Sequence, residues 1–183
     1  MLSTDAVAAF TAQKITQLAA EAVSGLSKAQ VPELPAKAVK GFSADQLEQL
    51  PKRSFKALEF VQLTKLSKDA VTGFTTAQLK TISGDEIAAF KPGKIKAISA
   101  DSISGLKPAA LDDLNKRQVK ALSDEQLAGL SKKQIRKADD FVDALSDQQR
   151  DALSLDPARS NRLIDQSDPL NRLDLAPGQD PLA

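Results

Sequence analysis

Pairs of adjacent carboxylates, such as Asp85/Glu86, Asp112/Asp113 and Asp139/Asp140, are the side chains best placed to do acid–base or cation chemistry. They have little to work with. The chain contains no His and no Cys. The commonest general base, the commonest metal ligand and any thiolate nucleophile are therefore excluded. The eight Gly are scattered and form no phosphate-cradling loop. The Asp residues near the C-terminus follow neither an EF-hand nor a Gly-Asp nonapeptide spacing. Adjacent carboxylates on a helical surface are solvated charges, favoured in a first turn by the helix dipole. The expectation is a protein that is not an enzyme, with no catalytic residue, no cofactor, no metal site and no small-molecule substrate.

What organises the chain is an eight-residue repeat. From Ser3 to Ala138 it divides into 17 octads without loss of register, octad 1 being Ser3–Phe10 and octad 17 Ser131–Ala138. The fifth position is apolar in all 17, and the eighth is Leu, Ile or Phe in 16. A fixed period of this kind marks a solenoid or array. A continuous helix advances about 800° over eight residues, so the apolar pair would wind around it and form no stripe. A strand puts positions 5 and 8 on opposite faces. A short helix puts them on one face, as i and i+3.

Position 1 supports the short helix. It is Ser, Thr or Asn in 11 of the 17 octads, the residues that accept hydrogen bonds from first-turn N–H groups. Position 4 completes a capping box in Ser27/Gln30, Ser43/Gln46, Thr75/Gln78, Ser83/Glu86, Ser123/Gln126 and Ser131/Gln134. Pro92 and Pro108 occupy the first helical position, where a missing N–H costs nothing. Pro32, at position 6, predicts a kinked or 3₁₀ turn. Helices this short do not survive alone in water, so stacking must hold them. Position 7 is small in odd octads (Ala9, Gly25, Gly41, Ala57, Gly73, Ala89, Gly105, Ala121), with only Lys137 departing, and varied in even ones. This alternation predicts an all-α solenoid of 16-residue repeats, each two short capped helices. With one helix pair per layer, it would be a rod on the order of 70–85 Å long.

The pattern sets the boundaries. Residues 1–138 are the repeat solenoid. Residues 139–153 read as a C-terminal cap, since Arg150 takes the always-apolar fifth position of Ser146–Leu153. Residues 154–183, rich in Asp and Pro, read as a flexible tail. Met1-Leu2 leads straight into octad 1, with no signal-like segment, and no stretch approaches the ~20 apolar residues of a membrane span. The N-terminal octad has no cap of its own, which predicts either a truncation point or a face that meets another chain.

Charge divides the chain as well. Residues 1–138 carry 21 basic and 14 acidic side chains, +7; residues 139–183 carry four Arg and ten Asp, −6. Two groups of residues are candidate partner contacts. Phe60 and Val61 put large apolar side chains at octad positions that are otherwise mostly polar. Lys132, Lys133, Arg136 and Lys137 form the densest basic run. The second half as a whole is Lys-rich, which raises nucleic-acid binding, should Lys94, Lys107, Lys120 and Lys133 fall on one superhelical face. The absence of Tyr and Trp and the interleaved acids favour a solvated surface.

The run LSDEQLAGLSKKQI, with its Leu-Ser-x-x-Gln-Val-x-x-Leu consensus, resembles the octapeptide arrays of large bacterial secreted and surface proteins. The resemblance covers Ser3 to about Leu153. It implies an extracellular spacer, adhesin or filament component that associates with a protein partner or with itself. It implies no catalytic residue. The Pro-started octads and the many Lys set this chain apart from the more uniform arrays. The residues themselves leave a second reading open, an intracellular scaffold or nucleic-acid-binding solenoid in the cytoplasm.

Overall fold

The computed structural model describes residues 3–154. The proposed tail lies almost entirely outside them. The described residues form seventeen α-helices of four to six residues and one 3₁₀ turn, with no strand among them. The caps are where the sequence puts them. Ser43, Thr75, Ser123 and Ser131 each accept from the backbone N–H three residues on, and the glutamine at that position accepts from the cap residue's own N–H. Pro92 and Pro108 open their helices. The stretch around Pro32 is turn-only, and the next octad is reduced to the 3₁₀ turn Ala38–Gly41. A proline at position 6 has no N–H to continue the helix, and Pro35 follows at once.

All 17 fifth-position side chains are buried, from Val7 to Ile135, and they form one continuous core with the eighth-position residues. Phe10 and Leu18, at the N-terminal end, are half-buried, and that end exposes no large apolar side chain among the described residues.

The chain is an all-α solenoid, but a layer is not a helix pair. Each helix packs mainly on the one three octads away: Ala12–Thr16 on Ala38–Gly41, Ala44–Gln49 on Lys68–Thr72, Pro92–Ala97 on Lys116–Val119. Hydrogen bonds from position 4 reach the octad four back, with separations of 28 and 31 residues. Three to four octads therefore make one superhelical turn, and successive octads are rotated by about 90–120°. At ~8–10 Å per layer the repeats stack to roughly 40–55 Å, shorter than one pair per layer would give. Short helices favour this arrangement, because each is flanked by close neighbours above and below and can bury one face fully.

The small residue at position 7 has a geometric cause. A Cβ on Gly41 would run into the carbonyl oxygen of Ala12, and one on Gly73 into that of Ala44. Position 7 of one octad thus sits on the backbone at position 2 of the octad three before it. At one large position 7 the room is made at position 2: Asp113 occupies the space that a side chain on Gly84 would need. Gly105 makes the same approach to Thr76, and so does Gly129, in an even octad, to Ala100, so the contact itself follows the three-octad stacking and not the 16-residue alternation.

One residue is missing after octad 17, so Ala138 is both the end of that octad and the N-cap of the helix Asp139–Ala144. Alanine cannot cap, and Asp112 does so from another layer, its Oδ1 accepting from the N–H of Phe141 at 3.1 Å. In Ser146–Leu153, Arg150 is half-buried and donates from Nη2 to Val142 O at 2.6 Å.

Candidate functional site

The polar side chains that the structure uses most are the glutamines at position 4. Their sequence signal is the capping box, and the box accounts for one end of the amide only. In Gln126, Oε1 accepts from Ser123 N at 3.0 Å, while Nε2 donates to Ile95 O at 2.9 Å and Ile98 O at 2.6 Å. Gln46 joins the carbonyls of Ile15 and Leu18, Gln78 those of Leu47 and Leu50, and Gln118 those of Ile87, Ala88 and Phe90. Gln62, Gln134 and Gln149 do the same. For Gln149 the separations drop to 30 and 27 residues, tracking the missing residue after octad 17. Six of these seven glutamines are buried, Gln134 being half-buried. The amide is the right group here: one acceptor for the cap and two donors for the carbonyls across the layer.

Where position 4 is not glutamine, the bridge changes. Ser54 donates one bond to Leu26 O at 2.6 Å. Lys94 donates from Nζ to Thr64 O at 2.8 Å and lies 5.4 Å from the centre of the Phe90 ring. Burial, followed by the charges of Lys91 and Lys65, lowers its pKa below the ordinary lysine value. Glu86 caps its own helix, accepting from Ser83 N at 2.7 Å, but a carboxylate has no hydrogen to offer the octad four back. Beside it a recess of about 10 Å³ is lined by Phe55, Leu58, Leu63, Ile82 and Glu86. Phe55 and Leu58 hold the octad positions whose carbonyls a glutamine at 86 would reach.

The carboxylate pairs do not converge. Asp112 caps a helix, Asp113 packs by Gly84, Glu86 caps its own octad, and Asp139/Asp140 are exposed in a first turn. No group of three or more metal-ligating side chains occurs among the described residues.

The two candidate contact groups stand apart, in octads 8 and 17. Phe60 and Val61 open the helix Phe60–Lys65, and both are exposed. Lys132, Lys133, Arg136 and Lys137 are exposed around the helix Lys132–Ile135, which Gln134 anchors to Ser104 O and Leu106 O. The lysines raised as one basic face are split. Lys94 and Lys120 belong to packed neighbouring helices, as octads 12 and 15. Lys107 is in octad 14, two octads and therefore about half a superhelical turn from Lys94, and the Lys94 ammonium is turned onto Thr64 O.

Sequence reasoning found Phe60 and Val61 because they break the pattern. The glutamines read as caps and Lys94 as a member of a basic face, because its lysine type conceals its place in the bridging series. No helix is long and apolar enough to cross a membrane among the described residues. No family model matches the chain, and neither a curated protein nor a solved structure matches it.

Proposed function

We propose that this chain is a non-enzymatic structural or adhesive repeat module of a bacterial surface or secreted protein, acting as a stiff spacer. The observation that carries this reading is the series of glutamine bridges. Each fixes an octad to the one four back, so bending the superhelix breaks buried hydrogen bonds as well as apolar contacts. The polar residues with the most demanding geometry in this chain serve its shape. The octapeptide resemblance supports placement outside the cell. Antibody raised to the folded chain should label intact producing cells or their medium. Labelling only after permeabilisation would refute the surface reading and leave the intracellular scaffold.

A further inference from the structure

Phe60, 49 % exposed, and Val61, 51 % exposed, are the large apolar side chains left at the surface among the described residues. No other octad has Val, Ile, Leu, Met or an aromatic residue at position 2 or 3. Packing therefore does not ask for them there. Thr64 lies one helical turn on, on the same side of the helix. Its carbonyl holds the Lys94 ammonium at 2.8 Å. Lys65 and Lys91 are close enough for their charges to act on Lys94. The result is an apolar pair opening a helix whose last turn holds a lysine ammonium that two further lysines repel. A ligand that offers both apolar side chains and carboxylates matches it, burying the first and relieving the repulsion with the second.

We propose that this patch seats the chain's own segment Leu163–Leu170, LIDQSDPL. Leu163, Ile164 and Leu170 supply apolar side chains, Asp165 and Asp168 supply two carboxylates, and the segment contains no cation. Reach permits it. The last described residue, Ser154, follows Ser146–Leu153, eleven octads on from the patch. Eleven octads are about three layers, or ~30 Å. The nine residues from Ser154 to Leu163 span up to ~30 Å when extended. The basic run at Lys132–Lys137 offers charge without an exposed large apolar side chain, so Leu163 and Ile164 would bury nothing there.

The chain has no Cys, so Ser167→Cys gives the full-length protein one thiol for a nitroxide label. The isotope-labelled, spin-labelled chain is diluted into an excess of unlabelled chain and observed by NMR. At ~0.05 M salt the Val61 methyl and Thr64 amide signals should lose most of their intensity, and at ~0.5 M salt they should recover. Val7 should be unaffected throughout. Asp165→Asn with Asp168→Asn should abolish the loss at low salt. Phe60→Ser with Val61→Ser, both exposed and so harmless to the fold, should free the nitroxide in its electron spin resonance spectrum. Undiminished Val61 and Thr64 signals at low salt, or broadening confined to Lys132–Lys137, would overturn the proposal.

Discussion

Octads 15–17 and octads 11–14 share one core pattern but are tied to their lower layers in different ways. In octads 15, 16 and 17, Gln118, Gln126 and Gln134 each bridge to the octad four back. In octads 11–14 the same position holds Glu86, Lys94, Ser102 and Ala110, and only Lys94 makes such a bond among the described residues. The aromatic contacts run from beneath this weakly bridged stretch into its first octad. Phe55 and Phe74 meet edge to face at 5.1 Å, and Phe74 and Phe90 lie 6.2 Å apart. The superhelix is therefore held by directional amide bonds in one region and by ring packing in the other. Amide bridges fix register, because Nε2 must find two particular carbonyls. Ring packing contributes burial and tolerates more adjustment.

The largest single effect should come from the aromatic region. Phe74 is fully buried and touches both rings. Phe74→Ala should cost ~3–5 kcal/mol in urea denaturation, since no bridge from position 4 of octads 11, 13 or 14 compensates. A loss under ~1 kcal/mol would mean that ring packing contributes little. Next, Gly73→Ala should destabilise by ~2 kcal/mol or more, because its Cβ would meet the backbone of Ala44 and the layers must part. The control is Gly93→Ala, at a glycine with nothing within 4 Å. It should be neutral or slightly stabilising, and equal losses at both sites would break the account of position 7.

Smaller and opposite in sign, Glu86→Gln should stabilise by ~1 kcal/mol, keeping the cap to Ser83 and adding donors toward Phe55 and Leu58. Thermal melting with no gain would show that the recess is not a missing bridge. The smallest effect is pH-dependent. Folding lowers the Lys94 pKa below its ordinary value of 10.5. Between the lowered value and 10.5 the unfolded chain holds more protons, so wild-type stability gains from Lys94 as pH rises through that window. Lys94→Gln removes this gain. Its stabilising advantage should be present at pH 7 and shrink toward pH 10; an advantage independent of pH would place its origin elsewhere.

Much of this was legible in the sequence, for reasons visible in individual residues. Helices, caps and inward faces are local properties, written in Ser123, Gln126 and Leu127 within a few positions of each other. The small residue at position 7 stood out as an alternation. The backbone it approaches, three octads back, could not be read, because an eight-residue period is compatible with any number of octads per turn. The same gap explains Gln126: the capping box used Oε1, and nothing local pointed Nε2 at Ile95 and Ile98. Asp112 as a cap for Asp139–Ala144 was hidden for the same reason, 29 residues from the N–H it accepts. Phe60 and Val61 were found as violations of the pattern, which needs no knowledge of the layers.

The central claim is that position 4 joins layers as well as capping helices, and Gln126→Glu separates the two roles. The carboxylate keeps the acceptor for Ser123 N and loses both donors to Ile95 O and Ile98 O. Urea denaturation at pH 7, with Ser123→Ala as the cap-only reference at ~1 kcal/mol, compares them directly. The account predicts a loss of ~2–4 kcal/mol for Gln126→Glu, larger than that of the cap mutant. A stability within ~0.5 kcal/mol of the wild type would contradict it, and the glutamines would then be caps and nothing more.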